Sequence, residues 1–123
     1  MPFLLTKERR IRRTGEYRRI YDLGEKRVGK YLVLFRMPVE GRETGRVGIT
    51  VSRKVGGACE RNLVKRRIRE ALMQELEHSG LADDIVFVAK SRIKQADFMD
   101  VKGDIKRLLG AWQGGQVKGE QVK

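Results

Sequence analysis

The amino-acid sequence predicts a single-domain α+β fold with the element order α-β-β-β-α-β-α around a central, mainly antiparallel sheet. The chain has 123 residues, 40% of them hydrophobic, which suffices for one core and is too few for two ordinary domains. Apolar residues repeat at helical spacing in three segments, and shorter strand-like runs lie between them. Glycine or proline stands at most of the junctions, which sets the element boundaries.

The chain opens with a basic segment and a short helix. Residues 1–13 are predicted as a basic N-terminal arm, of which residues 6–13 have little to bury. Thr14 is a suitable N-cap for a helix over residues 15–22, and Gly24 ends it. The spacing i, i+3, i+4 places three side chains on one face of this helix: Tyr17, Ile20 and Tyr21.

Three strands are predicted next, over residues 26–30, 31–37 and 46–53. The third alternates strictly, so its side chains divide between the two faces of the sheet. We expect one face in the core: Val47, Ile49 and Val51. The other face carries small and polar groups, and we expect it to be the open floor of a cleft: Arg46, Gly48, Thr50 and Ser52.

The second half of the chain supplies two longer helices and one strand. They are predicted as a helix that follows the break at Gly56-Gly57 and runs to about His78, a buried strand over residues 85–90 and an amphipathic helix over residues 94–112. The tail, residues 113–123, is rich in Gly and Gln, and we expect it to be disordered. The folded domain is therefore predicted to span residues 14–112.

The charge of the chain is strongly positive and unevenly distributed. Lys and Arg number 28 against 16 Asp and Glu, a net charge of +12, and residues 1–69 hold 20 of these cations with only 7 acids. This asymmetry indicates a binding face for a polyanion, and nucleic acid fits it better than a membrane surface. The single Cys59 excludes an internal disulfide and indicates the reducing cytoplasm. We expect no signal peptide and no transmembrane segment.

The second predicted helix concentrates cations beside a core-facing stripe. At 100° per residue, the stripe comprises Val64, Ile68, Ala71, Leu72 and Leu76. The neighbouring flank comprises Asn62, Lys65, Arg66 and Arg69, with Arg61 at its N-terminal end. Stacked like charges repel by about 0.2–0.5 kcal/mol per pair, and phosphate groups would offset that repulsion. A solvated helix face is the alternative, and the adjacent cations Arg53 and Lys54 weigh against it.

Aromatic residues precede this helix at positions suited to a groove for single-stranded RNA: Tyr17, Tyr21 and Phe35. Stacking of a base on such a ring contributes about 1–3 kcal/mol and tolerates any sequence. A place in the core is an equally good interpretation of Phe35, whereas the polar edges of the two tyrosines favour partial exposure.

These residues carry a resemblance to a known family. The chain reads Ser52-Arg53-Lys54-Val55-Gly56, then Arg61-Asn62-Leu63, then Lys65-Arg66-Arg67-Ile68-Arg69-Glu70. This order resembles the signature of the protein subunit of bacterial ribonuclease P, the enzyme that removes the 5′ leader from precursor tRNA. The likeness covers about residues 5–112. Leu63 stands where the family has Arg, so no role is carried over to that position.

The resemblance implies a fold detail and a set of contacts. The fold detail is a left-handed β-α-β crossover, where general rules predict a right-handed one. The catalytic RNA is expected to contact Arg53, Lys54, Arg61, Asn62, Lys65, Arg66 and Arg69. The leader of precursor tRNA is expected to contact Tyr17, Tyr21, Phe35, Arg46, Thr50 and Ser52. Further phosphate contacts are expected from Arg9, Arg10, Arg12 and Arg13.

The resemblance also implies that catalysis belongs to the RNA subunit with Mg²⁺, which that RNA mainly binds, and that this chain is a monomeric endoribonuclease subunit in a 1:1 complex. The residues agree, because no catalytic or metal-binding set is predicted in the chain. Asp83 and Asp84 are adjacent before a strand and do not converge. His78 is the only histidine, and Cys59 is expected to be buried or half-buried. A general RNA-binding protein of ribosomal or chaperone type, without a role in cleavage, is the alternative function.

Overall fold

The computed structural model of the chain describes residues 10–39, 45–79 and 83–113. The elements run in the order α1 (Thr14–Leu23), β1 (Glu25–Val28), β2 (Leu32–Met37), β3 (Arg46–Thr50), α2 (Ala58–Ser79), β4 (Asp84–Ala89), a 3-10 helix (Ser91–Gln95) and α3 (Phe98–Gln113). The predicted α+β class and its order of helices and strands are confirmed. Arg9, the tail beyond Gln113 and the side chain of His78 lie outside the described residues.

The four strands form one sheet in the order β1-β2-β4-β3. The pairs β1–β2 and β2–β4 are antiparallel, and β3–β4 is parallel, so the sheet is mainly antiparallel as predicted. The interior strand β4 is almost fully buried, which its continuous apolar run predicts. α2 connects the parallel strands β3 and β4 in a β-α-β unit, and the left-handed path of this crossover stays a prediction.

Helices cover both faces of the sheet. On one face, α2 and α3 enclose the main core, in which Leu34, Ile68, Leu72, Phe87 and Ile105 are fully buried. The predicted core stripe of α2 lies within this cluster. On the other face, α1 packs through Ile20 against Ile11 and Val86. The result is the predicted sandwich, with the sheet as its middle layer.

Local hydrogen bonding moves two predicted helix starts. Thr14 is the first residue of α1, and the N-cap is Arg13, whose extended backbone (φ −95°, ψ 140°) makes no side-chain capping bond, so the predicted Thr14 cap is wrong. α3 begins at Phe98 because Asp97 and Asp100 cap it reciprocally. Asp97 Oδ1 accepts from the Asp100 amide at 2.9 Å, and Asp100 Oδ2 accepts from the Asp97 amide at 3.1 Å.

A buried carboxylate fastens α3 to the turn between β1 and β2. Asp104 is 1% exposed and accepts hydrogen bonds from the amides of Lys30, Tyr31 and Leu32 at 3.0, 2.9 and 2.9 Å. It also pairs with Arg107 on its own helix. The three amides and Arg107 compensate the desolvation of this carboxylate. The contact between α3 and the β1–β2 turn is therefore both buried and fixed in geometry.

Candidate RNA-binding site

The flank of α2 beside the core stripe presents the predicted cations to solvent. Asn62 and Arg66 are exposed, and Arg61, Lys65 and Arg69 are half-buried. Among residues 10–39, 45–79 and 83–113, no ion pair involves Lys65, Arg66 or Arg69. We call the following set of residues the cationic flank: Arg61, Asn62, Lys65, Arg66 and Arg69. Its charges are not neutralised within the described structure, which is the state expected of a phosphate-binding surface.

A tight loop, residues 51–57, leads from β3 into α2. Gly56 has a positive φ of 158°, and a Cβ at this position would collide with the Glu60 carboxylate. That carboxylate accepts a hydrogen bond from the Gly57 amide at 3.1 Å and so closes the first turn of α2. Val55 is fully buried and anchors the loop, which leaves Arg53 and Lys54 exposed beside the cationic flank.

Tyr21 and Phe35 form an aromatic pair on the face of the sheet that carries α1. Their ring centroids lie 4.8 Å apart in an edge-to-face arrangement at 66°. The Tyr21 hydroxyl and Thr50 Oγ1 are 3.1 Å apart, within hydrogen-bond distance, and Tyr21 is 36% exposed. Lys26 on β1 adds a cation, with Nζ 5.9 Å from the centre of the Phe35 ring. The pair is therefore accessible, and a cation stands beside it.

Tyr17 is held more tightly than Tyr21. Its hydroxyl donates a hydrogen bond to the Ile11 carbonyl at 3.1 Å, and its ring centre lies 6.3 Å from that of Tyr21. The ring lies over Gly48, where a Cβ would come within 2.7 Å of it. Burial raises the pKa of the Tyr17 hydroxyl. Tyr17 thus supports the aromatic pair from the side and exposes only part of its ring.

The accessible floor beside the aromatic pair is apolar. The strand register aligns Val28, Val33, Val88 and Thr50 in one row across all four strands. Val28 is 59% exposed, and the other three are half-buried. We call the aromatic pair and this row the aromatic groove. The sequence interpretation missed its three valines, since only the pairing of Val33 with Val28 and Val88 brings them together.

The predicted polar floor on β3 is largely covered. Gly48 is buried beneath Tyr17, and Arg46 is engaged with carboxylates, so the expectation of an open floor along this strand is wrong. Thr50 at the end of β3 and Ser52 in the following loop stay accessible. The strand face is open only at this end because α1 packs across the other.

Arg46 bridges three elements of the fold. Its NH1 donates to Glu16 Oε2 at 2.9 Å, and its NH2 and Nε donate to Asp84 Oδ2 and Oδ1 at 3.0 and 3.3 Å. Hydrogen bonding from Arg46 lowers the pKa of Glu16, and hydrogen bonding to Asp84 raises the pKa of Arg46. Asp83 pairs with Arg36, so both predicted turn carboxylates serve as ion-pair partners.

Residues 10–13 of the basic arm are joined to the domain. Arg10 forms an isolated parallel bridge with Val47, and the Ile11 amide donates to the Val47 carbonyl at 2.9 Å. Ile11 is 4% exposed, so the expectation that the arm has little to bury is wrong here. The side chains of Arg10, Arg12 and Arg13 are exposed, where phosphate could reach them.

Two further residues of α2 lie off the cationic flank. Leu63, at the position where the signature departs, is 39% exposed. Cys59 is also exposed, contrary to the expectation of burial. Within residues 10–39, 45–79 and 83–113, no three His, Cys, Asp or Glu side chains are grouped closely enough to hold a metal ion. No helix in the same ranges is long and apolar enough to cross a membrane.

Comparison with known proteins gives a consistent result. The family model for ribonuclease P matches residues 5–113. The ribonuclease P protein component of Caldanaerobacter subterraneus is 36% identical over 102 residues, which cover 81% of this chain and 85% of that protein. The one from Dehalococcoides mccartyi is 38% identical over 104 residues, covering 85% and 84%.

Solved structures agree with the sequence matches. The RNase P protein of Staphylococcus aureus superposes with a TM-score of 0.76 at 29% identity, covering 83% of this chain and 93% of that one. The RNase P protein of Thermotoga maritima gives 0.72 at 26% identity, covering 88% and 98%.

A basic α+β domain that combines an unneutralised cationic helix flank with an aromatic groove defines, as a class, a protein that works with RNA. The matches across almost the whole chain narrow this class to one family. The chain belongs to the ribonuclease P protein family, and its role is in processing the 5′ end of tRNA as part of an endoribonuclease complex with an RNA partner.

Proposed function

We propose that this chain binds the catalytic RNA of ribonuclease P through the cationic flank and holds the 5′ leader of precursor tRNA in the aromatic groove. The observation that supports this most directly is that one short loop connects the two surfaces. Thr50 closes one end of the groove against Tyr21, and the loop over residues 51–57 carries the chain from there into the flank. One protein can therefore contact both RNAs at once.

The chemistry of each surface suits its proposed ligand. The cationic flank presents guanidinium groups on a helix that packs against the core. One guanidinium group can donate two parallel hydrogen bonds to two oxygens of a phosphate. The aromatic groove offers two accessible aromatic rings and a row of valines, which suit unpaired bases of any sequence. Exposed Ser52, Arg53 and Lys54 lie between the two surfaces and would contact the backbone.

In this proposal the cleavage chemistry belongs to the RNA subunit, which with Mg²⁺ breaks the phosphodiester bond. The protein contributes positioning and charge. Two RNAs repel each other, and a domain of net charge +12 between them lowers that repulsion. A lower Mg²⁺ concentration is then sufficient for the catalytic RNA to bind the same fraction of precursor tRNA. We place the protein in the cytoplasm with its RNA partner, as one copy per catalytic RNA.

Cleavage of a 5′-extended precursor tRNA by a bacterial ribonuclease P RNA at low Mg²⁺ tests the proposal. We expect cleavage at the mature 5′ end to be restored when the protein is added, and no cleavage by the protein alone. A variant lacking two cations of α3, Lys102→Ala with Lys106→Ala, is the matched control for net charge and should also restore cleavage.

Tight binding to the RNA without restored cleavage would contradict the proposal and favour a general RNA-binding protein. Equal affinity of the complex for precursor and mature tRNA would contradict the leader contact alone. The first result tests the role in cleavage, and the second tests the leader contact at the aromatic groove.

A further inference from the structure

The ion-pair network at Arg46 lies away from both proposed RNA surfaces. Arg46 begins β3, Asp84 begins the neighbouring strand β4, and Glu16 lies in the first turn of α1. The side chain of Arg46 is 24% exposed and that of Asp84 only 2%. The network therefore joins the edge of the sheet to the helix that carries Tyr17 and Tyr21.

The two carboxylates play different parts in this network. Asp84 is buried and takes two hydrogen bonds from Arg46, so this pair satisfies a charge that the sheet encloses. Glu16 is 34% exposed and accepts a hydrogen bond from Nη1, the third nitrogen of the guanidinium, at 2.9 Å. Since all three groups of the Arg46 fork are occupied, its charge is compensated within the protein.

The bond to Glu16 adds a charge-assisted anchor in the first turn of α1. The hydroxyls of Tyr17 and Tyr21 also hold this helix, through the Ile11 carbonyl and Thr50. α1 has only 10 residues, and its N-cap makes no side-chain hydrogen bond. A helix this short is marginal without tertiary contacts. Ile20 supplies apolar packing, which resists sliding along the sheet less than a directional bond does. Glu16 lies about 7.5 Å along the helix axis from Tyr21, less than two helical turns away. A bond that fixes Glu16 therefore also restrains the position of Tyr21.

We propose that Arg46 is a positioning residue for leader recognition: by holding Glu16, it fixes α1 on the sheet and sets the edge-to-face arrangement of Tyr21 and Phe35. This inference rests on the proposed function of the aromatic groove. It also gives Arg46 a different part from the direct leader contact that the sequence predicts.

Glu16→Ala is the variant that tests the bond. Replacing Arg46 itself would also remove two hydrogen bonds from the buried Asp84 and so disturb the sheet. Glu16→Ala leaves the Arg46–Asp84 pair in place. Asp22→Ala is the matched control, because it removes the same charge from an exposed position of α1. Glu16→Gln, which keeps an oxygen acceptor for Arg46, is the conservative rescue.

Two measurements report the result. In the free protein, proton NMR contacts between the Tyr21 and Phe35 rings should weaken in Glu16→Ala and persist in Asp22→Ala and Glu16→Gln. In the complex, the preference for precursor over mature tRNA should fall about three- to tenfold in Glu16→Ala, part of what loss of one stacking contact costs. Affinity for the catalytic RNA should stay unchanged in all three variants.

Combination with Tyr21→Ala separates this inference from the proposed function. The double variant Glu16→Ala with Tyr21→Ala should lose no more preference than Tyr21→Ala alone, because both changes act on one contact. Additive losses, or ring contacts that persist in Glu16→Ala, would overturn the positioning role. If Tyr21→Ala kept the full preference, the proposed groove would fail first, and the NMR result would still decide whether Arg46 sets the ring geometry.

Discussion

Loss of two cations from α2 should change both the affinity for the catalytic RNA and its dependence on salt. The perturbation is the double variant Arg66→Ala with Arg69→Ala, on the outward side of a helix whose core stripe is untouched. Six cations are proposed to contact this RNA: Arg53, Lys54, Arg61, Lys65, Arg66 and Arg69. Each phosphate contact contributes about −0.9 to the slope of log affinity against log salt concentration.

The magnitude follows from these contacts. Six of them give a slope of about −5, so affinity falls about 10³-fold between 50 and 200 mM salt. Four give a slope of about −3.6 and a fall of about 10²-fold over the same range. Arg46 is left out because Glu16 and Asp84 already compensate its charge.

Fluorescence anisotropy of labelled catalytic RNA, titrated with protein at several KCl concentrations, measures the slope directly. The double variant Lys102→Ala with Lys106→Ala removes the same charge from α3 and should keep the original slope. Equal slopes for the α2 variant and the original protein would refute the assignment of the cationic flank. A reduced slope in the α3 control would show that net charge, and not the flank, governs binding.

Three further results are expected. Phe35→Leu should lower the affinity of the complex for precursor tRNA by about fivefold or more while affinity for mature tRNA stays the same, because only the leader stacks on the ring; equilibrium binding of both substrates checks this. Asp104→Ala should lower the free energy of unfolding in urea by about 3 kcal/mol, because three amides lose their acceptor, whereas the exposed Lys106→Ala should change it by less than about 0.5 kcal/mol. Arg46 lowers the pKa of Glu16 below its ordinary value of 4.5, so the stability that this carboxylate adds is present above pH 4.5 and is lost as the pH falls through the folded pKa. The difference in free energy of unfolding between the original protein and Glu16→Gln should therefore vanish in acid. A difference that stays constant across that pH range would contradict the ion pair.

The sequence predicts well what depends on local periodicity. The stripe from Val64 to Leu76 is buried as the helical period requires, and the apolar run of β4 occupies the interior of the sheet. The cationic flank follows from the same wheel, because residues next to a buried stripe are held at the surface. Tyr21 and Phe35 come together through the packing of α1 on β2, which aromatic placement indicated.

Contacts between residues far apart in the chain could not be predicted from the sequence. Arg46 finds Glu16 and Asp84 at separations of 30 and 38 residues, so its compensation depends on the sheet order and on the side of the sheet that α1 covers. The valine row likewise requires the register of three strand pairs. The prediction of Thr14 as the N-cap of α1 failed because Thr14 is already helical. The extended residue before the helix is Arg13, one position earlier.

The interior position of β4 has a consequence for how the protein is made. Both β2 and β3 pair with this strand, and neither pairs with the other, so the four-stranded sheet cannot be completed until residues 84–89 have been synthesised. Asp104 reaches the β1–β2 turn later still. The first 69 residues, with 20 cations, therefore leave the ribosome as an open polycation next to ribosomal RNA. The less basic C-terminal half, which follows, completes the core and converts indiscriminate attraction to RNA into one ordered surface.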